Sequence, residues 1–462
     1  MKKRNIVIIV TSLLVPAILL TIGLISVKDE NPVTLTLWHN YGGQLKEKMD
    51  VMIEEFNGTI GAKEGVIISV TSISGSATLH EKLTMAANQD PGAPTLPDIT
   101  TAYPKTALIL EEKELLVDLE NLFTEKELSA YIPRFIEEGR LSKEKLCVFP
   151  TAKSTEVLFI NQTIFDRLAE ATGASLEDLQ TFEGIMKTAA LYYEWTDNQT
   201  PEIKNDGKTF FVSDSLFNYT LIGCRQLKSD FMKDDAFHFS DPIVRKVWES
   251  YFNPATKGQY AIFDGYSADL AKTGDIVCST GSTAGVSFYS PTVTYSDNTT
   301  EPAEMTILPY PVFVDGDKVA VQRGAGMCII KSDKKKEKLA GLFLKWFTSP
   351  EVNLRFVSST GYLPVTEAAY GDIMQEEINH ISDPNVKKLL EVSRVMQTEY
   401  DYYISPLFDG IDELMDSYNT HLKTLADASK KTYLSLLDTQ EAELAFNIII
   451  ESKYDEFTSY FK

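Results

Sequence analysis

A chain of 462 residues, 44% hydrophobic and 24% charged, has the length for two or three domains and enough apolar content to bury their cores without a disulfide scaffold. Its 66 acidic against 44 basic residues leave a net charge of −22, which argues against non-specific capture of nucleic acid and against docking of the folded body on anionic lipid. Four cysteines, Cys147, Cys224, Cys278 and Cys328, lie far apart, form no CxxC pair and join no histidine at zinc spacing. Burial as small apolar side chains is their expected fate, and no metal or cofactor is expected.

The chain opens on the basic stretch Met1-Lys2-Lys3-Arg4, and residues 6–26 follow without a charge. About 21 residues at a helical rise of roughly 1.5 Å span the hydrocarbon core of a bilayer. The basic flank stays cytoplasmic and the remainder is exported. Two fates compete for this run, a cleaved secretory signal and an uncleaved anchor. Its exit, Gly23-Leu24-Ile25-Ser26-Val27-Lys28, matches a small-x-small cleavage site poorly, and no cysteine lies in or just after it to carry a lipid. The expectation is an anchor and tether over 1–30, with the folded body on the extracytoplasmic side of the cell membrane.

Residues 34–38 alternate polar and apolar and predict a strand; 45–56 carry apolar residues at helical spacing. Residues 66–70 are β-branched and predict a strand, 79–87 a helix, and 97–101 the start of a third strand. This β-α-β-α-β order predicts an α/β lobe with a largely parallel sheet. Past residue 140 the pattern predicts strands at 157–161, 275–280 and 305–309, and helices at 178–193, 242–251 and 336–347. Ser349-Pro350-Glu351 opens a further helix, with proline in its first turn. The tail from Ile411 is mostly helical.

Several segments, taken in order, resemble family 1 extracellular solute-binding proteins of ABC importers over about 33–430. They are Leu35-Thr36-Leu37-Trp38-His39 with its following helix, Pro97-Asp98-Ile99, residues 157–165, Gly274-Asp275-Ile276-Val277, residues 346–351 and Gly361-Tyr362-Leu363-Pro364-Val365. The opening 37–43 is most similar to the glycerol-3-phosphate-binding subgroup. The resemblance implies an α/β, periplasmic-binding-protein-like fold of type II, with two lobes joined by crossing hinge segments. Lobe 1 is expected from 31–140 with about 275–335, and lobe 2 from 141–274 with about 336–462. It also implies a monomer that closes on a small polar solute by hinge motion and presents it to ABC permease subunits.

By the same resemblance Ser154, Ser282, Gly324 and Tyr362 fall on ligand-contacting positions. The subgroup's early tyrosine and its glutamate fall near Leu79 and Pro104, leaving the neighbours His80 and Tyr103 as substitutes. His39 and Tyr41 of the opening segment join this set. The subgroup's phosphate-binding arginine falls near Tyr403, which with Tyr400 and Tyr402 suggests a stacking wall instead. Lys153 and Arg323, beside Ser154 and Gly324, are candidate replacement charges. Loss of that arginine ranks a neutral sugar or oligosaccharide above glycerol-3-phosphate or a glycerophosphodiester. No catalytic residue is expected, because His39 has no carboxylate partner nearby in sequence. The competing readings are a glycoside hydrolase with paired carboxylates and a solute sensor.

Overall fold

The computed structural model describes residues 31–462 except 74, 142–144 and 409. The expected anchor lies outside the described residues, among which no helix is long and apolar enough to cross a membrane.

Two sheets organise the chain. The first holds β1 (Val33–His39), β2 (Val66–Ser72), β3 (Ile99–Ala102), β4 (Phe149–Ser154), β9 (Val319–Ile329) and β10 (Asp401–Ile404). The second holds β5 (Glu156–Asn161), β6 (Phe211–Ser213), β7 (Cys278–Ser282) and β8 (Met305–Leu308). Along β1, Leu35 and Leu37 are buried while Thr34 and Thr36 are exposed, so the polar-apolar alternation does set one face inward. β1 runs parallel to β2 and β3, with Leu35 opposite Ile68 and Leu37 opposite Ile99. Parallel neighbours require crossovers, and helices Gly43–Phe56 and Ser76–Asn88 supply them. The first buries Met49 and Phe56 completely, each worth about 1.5–3 kcal/mol of apolar transfer. The expected parallel order therefore holds for β1–β3, whereas β9 runs antiparallel to β3 and β4.

The expected division of the lobes is corrected by strand pairing. β7 and β8 flank β5, with Leu158 opposite Thr280 on one side and Leu308 on the other, so about 275–308 belong to the second lobe. Helices Lys334–Phe347 and Pro350–Ser358 pack instead on the first lobe. Phe343 and Trp346 close on Phe56 with ring centroids 5.1 and 5.3 Å apart. Apolar faces of these helices find their partner on β1 and its helix, which lie about 300 residues earlier in the chain and outside any local pattern. Helix Pro384–Glu399 packs on β8, where Lys388 Nζ donates to the Met305 carbonyl at 2.6 Å. Helix Ile411–Leu436 joins the second lobe, with the Tyr418 and Thr220 hydroxyls 2.8 Å apart. All four cysteines are free and buried, as expected.

Candidate functional site

The lobes meet where β4 hands over to β5 through Thr155. Ser154, Thr155 and Glu156 are all buried at this crossing. The Thr155 hydroxyl donates to the Val321 carbonyl at 2.8 Å, and the Thr283 N–H donates to the Thr155 carbonyl at 2.9 Å. One residue thus ties together β4–β5, β9 and the segment after β7. Ser154 pairs with Arg323 across β4–β9, and Glu156 pairs with Ser282 across β5–β7. The backbone therefore brings Ser154, Ser282 and Gly324 to one junction. The Ser282 hydroxyl caps the following turn, accepting from the Ala284 N–H at 3.3 Å.

Glycine at 324 is required by geometry. Its φ is +104°, and a Cβ there would stand 2.4 Å from the Ala152 carbonyl. Gly361, at φ +73°, lets its loop approach the Thr283 carbonyl, which a Cβ would meet at 2.4 Å. The same loop is held to β4 by reciprocal backbone bonds between Leu363 and Lys153, 2.6 and 3.3 Å long. This places Tyr362, half-buried, at the junction.

Tyr41, Tyr103 and Tyr362 lie within electrostatic reach of one another. Burial pushes the Tyr41 phenol well up, and its neighbours Tyr362 and Tyr103 add to the effect. Burial likewise pushes Tyr362 up, reinforced by Tyr103 and opposed by Arg323. Tyr103 is 39% exposed and precedes helix Pro104–Glu112. The Tyr41 hydroxyl is buried with the Thr151 side chain beside it, which opposes the rise. His39, at the end of β1, accepts the Tyr41 N–H on Nδ1 at 3.1 Å, and its Nε2 has no partner among the described residues. Burial lowers its pKa to about 4, with Asp50 opposing and Lys46 adding, so the ring is neutral near pH 7.

Two acids that sequence reasoning missed stand on the second-lobe side. Glu156 Oε1 accepts from Asn218 Nδ2 at 2.7 Å and from Arg323 Nη1 at 3.1 Å. Burial raises its pKa, against Arg323 and Asn218, while Asp214 adds to the rise. Asp214 accepts the Ser267 N–H at 2.8 Å, and burial raises its pKa too. Gly281 makes room for it, since a Cβ there would lie 2.6 Å from Asp214 Oδ2. One signal was available: Glu156 is a lone charge at the head of an apolar run, Val157-Leu158-Phe159-Ile160.

Three expected groups stand elsewhere. His80 Nδ1 lies 3.0 Å from the Thr106 hydroxyl, linking two first-lobe helices. Tyr403 pairs with Val321 on edge strand β10, and its ring lies under Arg225 at 5.2 Å. It lines a cavity of about 880 Å³ with Arg134, Tyr370 and Tyr402, which Tyr362 does not line, while Tyr400 is buried and donates to the Tyr310 carbonyl at 2.8 Å. Lys153 is 3% exposed and ion-paired with Glu138. Successive strand residues face opposite sides, so Lys153 points away from Ser154 and the charge beside the tyrosines is Arg323.

Two α/β lobes with a polar, aromatic junction suit the capture of a small solute, and comparison with known sequences agrees. Residues 51–386 match the bacterial extracellular solute-binding protein family. The chain belongs to that family. No curated protein matches it. Among solved structures, this solute-binding protein is similar to the cyclic alpha-maltosyl-1,6-maltose binding protein from Arthrobacter globiformis, at 17% identity and a TM-score of 0.67, covering 93% of this chain and 100% of that one. It is also similar to the sugar-binding protein MalE from Xanthomonas citri, at 15% identity, TM-score 0.64 and coverage of 93% and 98%. UgpB from Mycobacterium tuberculosis, solved with glycerophosphocholine, matches at 15% identity, TM-score 0.63 and coverage of 93% and 99%. At these identities the likeness is one of fold. Membership of the family places the body of the solute-binding protein outside the cytoplasm.

Proposed function

We propose that this solute-binding protein captures a neutral sugar or oligosaccharide between its lobes, as a monomer, and delivers it to the permease subunits of an ABC importer without chemical turnover. In this reading the apolar run 6–26 keeps the body at the membrane. The observation that carries the proposal is the pairing of β4 with β9 and of β5 with β7, which sets Ser154, Ser282 and Arg323 at one lobe junction with Tyr362 and Asp214 within electrostatic reach of Arg323. Sugar C–H faces stack on flat aromatic rings, and sugar hydroxyls need short groups that donate and accept. Gly324 brings backbone close to the same place. Sugar-binding proteins of this fold, including maltose-bound MalE3 from T. maritima, support the solute class.

The test is a melting-temperature screen of the full-length protein with maltotetraose, cyclic maltooligosaccharides, glycerol-3-phosphate and glycerophosphocholine. A ligand at 100 times its Kd stabilises the folded state by about 2.7 kcal/mol. A neutral oligosaccharide should give the largest shift. A larger shift with a phosphate ester overturns the solute class, and release of shorter sugars on incubation overturns the non-enzymatic reading.

A further inference from the structure

Glu156 is an expensive residue for its position. It is 1% exposed, heads a strand whose next four residues are apolar, and its Oε2 has no hydrogen-bond partner among the described residues. A buried carboxylate with one oxygen unbonded does not favour the fold by itself, and an apolar side chain would pack there as Val157 does next door. What it touches is informative. Oε1 takes Arg323 Nη1 at 3.1 Å, while the Arg323 side chain stays 42% exposed. The charge of that guanidinium also reaches Tyr362 and Asp214. Arg323 is thus the cation beside the tyrosines, and it is tied from behind by a buried acid.

Resting on the reading of this junction as the solute site, we propose that Glu156 sets its charge selectivity. Glu156 neutralises and orients Arg323, so the guanidinium offers hydrogen-bond donors to hydroxyls of a neutral solute and no net charge to an anion. A bare arginine would do the reverse, since its fork fits phosphate, sulfate and carboxylate. Asp214, on the same side, adds to the rejection of anions. Asn218 donates to the same oxygen at 2.7 Å and holds the carboxylate in this pose.

The experiment measures binding of maltotetraose and of glucose 6-sulfate, whose charge is fixed, by calorimetry on the full-length protein at low ionic strength. Glu156→Gln keeps the shape and removes the charge. It should gain about tenfold or more in glucose 6-sulfate affinity, with the gain lost in E156Q/R323Q and maltotetraose binding changed far less. No gain in a folded E156Q, or a gain that survives R323Q, overturns the proposal. Should E156Q fail to fold, the wild type supplies a second arm. Burial raises the Glu156 and Asp214 carboxyls, so both take up protons at higher pH than ordinary acids do, while the Tyr362 phenol stays neutral. Glucose 6-sulfate affinity should rise as pH falls below neutral in the wild type and stay flat in R323Q; a wild-type profile that stays flat over the whole acid range in which the protein remains folded overturns the proposal. Failure of the wild type to bind any neutral sugar would sink the solute class and leave charge control by Glu156 standing, whereas sugar binding with no anion gain in E156Q does the opposite.

Discussion

Lys105 Nζ lies 2.7 Å from Asp412 Oδ2, joining the first turn of a first-lobe helix, Pro104–Glu112, to the first turn of Ile411–Leu436 on the second lobe. Glu413 adds a contact at 3.9 Å. The pair bridges the lobes one helix turn from Tyr103, so a hinge opening would separate it. With side chains 28% and 57% exposed, it is worth at most about 1 kcal/mol. Asp412→Asn should therefore weaken solute binding about two- to fivefold, chiefly through faster dissociation. Stopped-flow release at low and at high salt checks this; the difference should vanish at high salt.

Tyr362 reaches the junction only because its loop is pinned to β4 by the bonds between Leu363 and Lys153. Tyr362→Ala removes a half-buried ring without touching those backbone bonds. Solute affinity should fall roughly tenfold or more, and the melting temperature of the free protein should change little. Calorimetry and a thermal melt on the same sample separate the two.

Gly324→Ala is predicted to destabilise by about 2–3 kcal/mol, because both its φ of +104° and the 2.4 Å approach to the Ala152 carbonyl reject a Cβ. Denaturant unfolding measures the loss, and β9 is the strand that should lose amide protection first.

Lys153 and Glu138 form a buried ion pair on the face of β4 away from the tyrosines. Lys153→Ala removes the ion pair and leaves Glu138 Oε2 with the Gln322 Nε2 donor at 2.8 Å, so it should cost about 3 kcal/mol, with solute affinity per folded molecule unchanged. Lost affinity in a folded K153A would return Lys153 to the solute site.

His39 makes the fold acid-sensitive. Its folded pKa of about 4 lies below the unfolded value of 6.5, so the unfolded chain takes up the proton first. This contribution is complete above pH 6.5 and is lost as pH falls towards 4, amounting to on the order of 3 kcal/mol. His39→Gln should flatten the stability profile between those limits in denaturant titrations.

Much of this was legible in the chain. The alternation in β1 and the helical spacing after it read directly as structure, because each depends on neighbours within a few residues. Ser154, Ser282, Gly324 and Tyr362 were placed through short matched segments, and the pairing of β4 with β9 and β5 with β7 brings the first three together. β4 itself, with its lysine and serine, and the eleven-residue β9, interrupted by Arg323-Gly324, carry no clean period and were missed. The surroundings of Tyr403 were not legible, because a tyrosine cluster says nothing about which side of an edge strand it faces.

The sequence by itself determined the α/β class and the family, since local periodicity and motif order survive without knowledge of distant contacts. Only the tertiary structure decided which strands share a sheet, that Arg323 and not Lys153 stands beside Tyr362, and that Arg323 donates to Glu156. Arg323 and Glu156 are 167 positions apart, and strand pairing sets the 3.1 Å between them. Which partner a charge meets is a matter of the assembled sheets, and no spacing along the chain encodes it.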